Sequence, residues 1–154
     1  EAARRWRLLI AELDALPTAK LSDKAVARVR LADVLEQQHD LEGAQAALWE
    51  AIDQLRAEPD PPRVDLAFVL NQLAEVSFAL GRPETSLTAS KHAAGLLIGV
   101  VDEAHVELIR TRNNLAAVHG SRGEYVLAER LFRQNLKALS AAYGEHDVAL
   151  IVPA

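Results

Sequence analysis

Apolar residues in this chain recur at spacings of three, four and seven, the period of amphipathic α-helices, and the pattern itself repeats. Shifting the chain by 42 residues superposes it on itself three times over. Leu31, Leu73 and Leu115 share one column, Ala32, Ala74 and Ala116 the next, and Val34, Val76 and Val118 another. Leu55, Leu97 and Leu139, then Val64, Val106 and Val148, then Leu66, Leu108 and Leu150 continue the series. Each period holds two helices, A and B, joined by a tight turn. Helix A of the second unit is predicted from about Arg63 to Leu80, with Leu66, Leu70, Leu73, Ala74 and Val76 along its apolar stripe. Gly81 stops it, because glycine takes a positive φ without a Cβ penalty, and Pro83 suits the first turn of helix B. Gly123 fills the same column in the third unit, followed by Tyr125, Ala128 and Phe132, whereas the first unit has His39 there, then Leu41, Ala44, Leu48 and Ala51. Small residues are predicted where paired helices approach closely: Ala32, Ala74 and Ala116 on helix A face Ala44, Ser86 and Ala128 on helix B.

The register also reads outward to both ends. One period before Ala44, Leu48, Ala51, Ile52 and Leu55 lie Ala2, Trp6, Leu9, Ile10 and Leu13, so residues 1–16 are predicted to be helix B of a unit whose helix A is missing. Units over 24–62, 63–104 and 105–146 follow, and residues 147–154, with Val148, Leu150, Ile151 and Val152, begin a further helix A. Neither end resembles the polar cap that closes a stack of repeats. The array is therefore expected to be cut from a longer one, in keeping with a chain that starts at Glu1. Pro59, Asp60, Pro61 and Pro62 punctuate the join between the first two units. Leu96, Leu97, Ile98, Val100 and Val101, interrupted by Gly99, are expected to continue the second helix B and to be buried between units two and three, the alternative being a flexible joint.

Composition removes other classes. The chain of 154 residues has no cysteine, which excludes disulfides, thiolate metal sites and a cysteine nucleophile. Its net charge of -5 argues against nucleic acid as a partner. No apolar run approaches the roughly 20 residues of a membrane span, so a cytoplasmic protein is expected. Arginine outnumbers lysine thirteen to four, a bias common in high-GC bacteria. The five histidines lie at no metal-ligand spacing. His119 reads as a hydrogen-bonded residue at the core edge, and His105 and His146 as loop residues. There is no nucleophile elbow, P-loop or dinucleotide turn. No enzyme activity, metal or cofactor is expected.

The order Ala116, Gly123, Tyr125, Ala128, Phe132 resembles the tetratricopeptide repeat. The stretch from Asn113-Asn114-Leu115-Ala116 to Tyr143-Gly144-Glu145-His146-Asp147-Val148 is similar to the long, 42-residue variant typified by kinesin light chain and abundant in bacterial signalling proteins. The resemblance implies an all-α solenoid of antiparallel helix pairs in a right-handed superhelix. It also implies that His146 belongs to a loop signature of the family.

In such a stack helix A lines the concave face. The side chains opposite the A–B stripe are Val29, Arg30, Asp33, Glu36 and Gln37, then Phe68, Asn71, Gln72, Glu75 and Phe78, then Arg110, Asn113, Asn114 and Ala117. In proteins the chain resembles, asparagine at these positions grips the backbone of an extended peptide, since a carboxamide both donates and accepts. Asn71, Asn113 and Asn114 match residue by residue, and Gln72 by type. The same column could instead tie neighbouring helices together. Arg30 and Arg110 would select charge, with Asp33, Glu75 and Phe68 beside them. Residues 64–109 hold six acids and two bases and residues 110–154 four acids and six bases, so the groove is expected to be polar along its length. The reading is a scaffold that binds a protein or peptide in its concave groove. Its rivals are a sensor or regulatory segment of a larger signalling protein, such as a kinase, protease or transcription regulator, and an array that self-associates through its uncapped ends.

Overall fold

The computed structural model describes residues 1–144, which form seven α-helices. In order they are α1 (Ala2–Ala15), α2 (Leu21–Gln37), α3 (Leu41–Arg56), α4 (Arg63–Ala79), α5 (Pro83–Leu97), α6 (Val106–Ser121) and α7 (Tyr125–Tyr143). No strand occurs among the described residues. The predicted start of a further helix A, with Val148, Leu150, Ile151 and Val152, and the loop residue His146 lie outside the described residues.

The helices pack in chain order. Within units α2 packs on α3, α4 on α5 and α6 on α7, and between units α1 packs on α2, α3 on α4 and α5 on α6. The small-residue columns explain how closely the pairs fit. Ala32, Ala44 and Ala74 are fully enclosed, and Ser86, Ala116 and Ala128 nearly so. Leu48, Ile52, Leu70, Leu73 and Leu97 fill the layers between them. Each such leucine or isoleucine stabilises the stack by about 1.5–3 kcal/mol relative to its exposed state.

The three turns inside the units share one geometry. Gly81 and Gly123 take φ of 70° and 75°, and His39, in the same column, takes 62°. In each turn the following N–H returns to the last helical turn: Asp40 to the Leu35 carbonyl at 2.9 Å, Arg82 to Ser77 at 2.8 Å and Glu124 to His119 at 2.9 Å. Packing of the flanking helices therefore imposes a left-handed residue even where the sequence supplies a Cβ, at a cost of about 1–2 kcal/mol.

The apolar stretch after Gly95 departs from expectation. Helix α5 ends at Leu97, and Gly99, at φ 75°, turns the chain. Leu97 is fully buried, but Ile98 and Val100 are 63% and 47% exposed. A continuous buried helix is not formed, because two glycines within five residues weaken the helix and the second reverses the chain direction.

Candidate binding surface

Helices α2, α4 and α6 are the three A helices, and their two junctions differ. At the second, α4 packs directly on α6. Asn71 is completely enclosed there. Its Nδ2 donates to the Glu107 carbonyl at 3.0 Å and to Glu107 Oε2 at 2.9 Å, and its Oδ1 accepts from Thr111 Oγ1 at 2.9 Å. Asn114 Nδ2 reaches back to the Asn71 carbonyl at 3.2 Å. Arg110 donates through Nε and Nη2 to the two oxygens of Glu75, each at 2.6 Å, and its guanidinium stands 5.5 Å from the centre of the Phe68 ring. These bonds hold Arg110 further toward its charged form, with Glu107 and Glu36 adding to the effect of Glu75 and burial opposing it.

The first junction carries different side chains at the same register positions. Val29 stands where Asn71 does, Asp65 for Glu107, Val69 for Thr111, Phe68 for Arg110, Asp33 for Glu75 and Gln72 for Asn114. Valines cannot bridge the gap with directed bonds, and α2 does not pack on α4 as α4 does on α6. What remains is a cavity of about 240 Å³ lined by Ala25, Val26, Val29, Leu55, Phe68 and Val69, with Ser22, Arg30 and Asp65 at its mouth. Gln72 Nε2 donates to Asp33 Oδ1 at 2.9 Å, and Arg30 Nη1 to Asp33 Oδ2 at 3.3 Å. The other amide atom, Gln72 Oε1, is enclosed and has no hydrogen-bond partner. Partial burial raises the pKa of Glu36, Asp33 and Glu75 raise it further, and Arg110 opposes them.

The expected contact residues therefore divide. Arg30 and Asn113 are exposed, and Asp33, Phe68, Gln72 and Asn114 are half-buried beside the open face. Asn113 Oδ1 already accepts from Asn135 Nδ2 at 2.9 Å. Arg110 and Glu75 are held by each other. Asn71 is corrected from a groove contact to a wall residue: its carboxamide is fully engaged by α6 and lies out of reach of a ligand. Sequence reasoning missed the cavity residues Val26, Asp65 and Val69. Their signal lay in the columns, where Val29 and Val69 replace the Asn71 and Thr111 pair.

The remaining polar clusters hold the stack together. The buried guanidinium of Arg28 binds Asp14 at 2.7 Å and Glu50 at 2.9 Å, which ties α1 to α3. Arg112, in the same column, binds Glu103 and Asn135. His105 caps α6, its Nδ1 accepting from the Glu107 N–H at 3.2 Å. His119 contacts Glu124 across the turn. Arg56 Nη2 lies 3.0 Å from His92 Nδ1, and burial together with Arg56 lowers the His92 pKa. Among the described residues no group of three or more His, Asp or Glu is placed to hold a metal ion, and no helix is long and apolar enough to cross a membrane.

A family profile described as Tetratricopeptide repeat matches residues 65–141, half of the chain. No curated protein is significantly similar in sequence. Among solved structures, BtubC (BKLC) from P. vanneervenii superposes with a TM-score of 0.72 at 17% identity, over 94% of this chain and 55% of that one. Two structures of a Podosopora anserina protein of nearly identical TPR-like repeats, described as a kinesin light chain, give TM-scores of 0.76 and 0.74 at 11% identity. They cover 91% and 92% of this chain and 66% and 67% of theirs, so this chain spans between about half and two thirds of the length of these relatives. At such identities the likeness establishes the fold, an all-α TPR-like solenoid.

Proposed function

The chain belongs to the tetratricopeptide repeat family, and from that premise we propose that it is a non-catalytic module that binds a protein or peptide on its helix-A face, at the open α2–α4 junction. Repeats of this family generally mediate protein–protein interaction and are typically non-catalytic scaffolds. The observation that carries the reading is the apolar cavity between Val26 and Phe68, with a cation and an anion at its mouth. One aliphatic or aromatic side chain of a ligand fits it, and burying such a side chain contributes about 1.5–3 kcal/mol. Arg30 and Asp65 would then orient the flanking residues, a contribution to selectivity and encounter rate more than to affinity. Asp33, with Gln72 bonded to it, lies on the path a ligand backbone would take toward Glu75, Arg110, Asn113 and Asn114. Asn71 acts from behind, by fixing α4 against α6.

The test is panning of a random peptide library on the immobilised chain and on a Val26→Glu/Arg30→Glu variant, both changes being at exposed positions. Peptides enriched on the parent should carry a large apolar residue and bind the variant at least about tenfold more weakly, with unchanged circular dichroism. No enrichment, or equal affinity for both proteins, would refute the reading.

A further inference from the structure

The two junctions also differ in how their charges are matched. At the second, Arg110 binds both oxygens of Glu75 at 2.6 Å and lies 3.9 Å from a carboxylate oxygen of Glu107, over the ring of Phe68. Two carboxylates and an aromatic face thus share one guanidinium. One 42-residue period earlier, Asp33 stands for Glu75, Asp65 for Glu107, Phe68 for Arg110 and Val26 for Phe68. The first junction therefore keeps both carboxylates and has a phenyl ring in place of the guanidinium. Asp65 is exposed and has no cation within 4.0 Å among the described residues. The one cation on Asp33 among them is Arg30 of its own helix, at 3.3 Å through a single nitrogen and largely in water, where such a pair contributes little. Glu36, one turn further along α2, has its pKa raised by burial and by Asp33 and Glu75, as expected where negative charge is incompletely matched. The smaller side chain of Val26 also accounts for the open space. The cavity of about 240 Å³ has Val26, Phe68 and Asp65 in its wall, the places that Phe68, Arg110 and Glu107 take at the second junction.

We propose that the ligand of this socket is a peptide segment with an arginine beside its apolar anchor, the anchor filling the cavity and the guanidinium bridging Asp33 and Asp65 beside Phe68. This deepens the reading of the socket as a peptide site and rests on it. The ligand supplies from outside what the second junction supplies from its own sequence. Arginine is favoured over lysine because its planar fork spans two carboxylates and stacks on an aromatic ring, whereas an ammonium is a compact, strongly hydrated point charge. An acidic segment fits worse, since Asp33, Glu36 and Asp65 face it with Arg30 as the one nearby cation on α2. Once the ligand takes Asp33, Arg30 is free to donate to a carbonyl of the ligand backbone.

The probe is a fluorescein-labelled nonapeptide with a central phenylalanine, an arginine two residues to either side, and glycine and serine elsewhere. That spacing keeps the three side chains on one side of an extended chain. Its twins carry citrulline, a neutral isostere, or glutamate for both arginines, or serine for the phenylalanine. Binding to the full chain is read by fluorescence anisotropy. The arginine peptide is expected to bind about tenfold tighter than the citrulline twin, and the glutamate twin to bind weakest. Asp33→Asn/Asp65→Asn should erase that preference and leave the affinity of the citrulline twin within about twofold, while Asp53→Asn, on the exposed side of α3, should change neither. Asp33→Asn keeps an acceptor for Gln72, and unchanged circular dichroism checks the fold. Equal binding of the arginine and citrulline peptides, with dependence on phenylalanine intact, overturns the arginine seat and leaves the socket standing. Arginine preference without dependence on phenylalanine overturns both. A preference that survives the double aspartate variant, tighter binding of the glutamate twin, or binding of none of the four peptides also overturns the proposal, and panning then decides the socket by itself.

Discussion

The two junctions between A helices are built on one register and have opposite characters. Between α4 and α6, Asn71, Glu107 and Thr111 meet and close the gap with directed bonds. Between α2 and α4 the same positions are Val29, Asp65 and Val69, and the helices leave a cavity of about 240 Å³. A repeat thus fixes where neighbouring helices face each other and leaves the chemistry of the contact free. Polar groups shut between helices must satisfy one another, which rigidifies the joint. Apolar groups at the same place carry no such directed requirement and can accept a foreign side chain instead. One junction is a lock, and its neighbour is the socket of the proposed binding function.

The largest effect should come from breaking the lock. Asn71→Val removes the donor to the enclosed Glu107 carboxylate and carbonyl and leaves the Thr111 hydroxyl only the Glu107 carbonyl, and should cost about 2–3 kcal/mol, read as a lower urea midpoint. A loss below about 0.5 kcal/mol would remove the distinction between the junctions.

Building the lock at the socket comes next. Val29→Asn alone should destabilise by about 1–2 kcal/mol, since a carboxamide is buried against valines. Adding Asp65→Glu and Val69→Thr should restore about 1 kcal/mol of that, a non-additivity that a mutant cycle measures, and should abolish peptide capture by filling the cavity. Simple additivity would show that the three residues do not act as a unit.

The turns offer a smaller contrast. Gly81→Ala places a Cβ at φ 70° and should cost about 1 kcal/mol. His39→Gly, where that strain already exists, should gain about 0.5 kcal/mol after the entropy of glycine is counted. Thermal melts of the pair should move in opposite directions.

The smallest effect concerns Glu36, whose pKa is raised by burial and by Asp33 and Glu75. The folded state holds its proton more tightly than the unfolded chain, so the ionised group opposes folding at neutral pH and this opposition fades as pH falls through the carboxylate range. Glu36→Gln should therefore raise the melting temperature at pH 7 and lose that advantage under acid. A gain independent of pH would assign it to packing.

Much of the architecture was legible in the residues. The 3.6-residue period and the stop at Gly81 predict helix A at 63–80, and α4 spans Arg63–Ala79. The stripe of Trp6, Ile10 and Leu13 predicts the first helix, observed at Ala2–Ala15. Periodicity gives the angle of a side chain about its helix but not the distance to the next helix. Asn71 and Gln72 are neighbours in the predicted face, and only the closer approach of α6 encloses the first and leaves the second half-buried. Arg110 was legible as a cation on the face, but its capture by Glu75 depends on side-chain reach across 35 residues of sequence. The end of α5 was hidden because hydrophobicity favours burial while Gly99 turns Ile98 and Val100 outward.

The most direct test of the binding account is a map of backbone amide shifts in the full chain on titration with the tightest peptide recovered by panning. The account predicts the largest shifts at Val26, Arg30, Phe68 and Val69, weakening toward Asn113. Shifts confined to α3 and α5, on the opposite face, would contradict it.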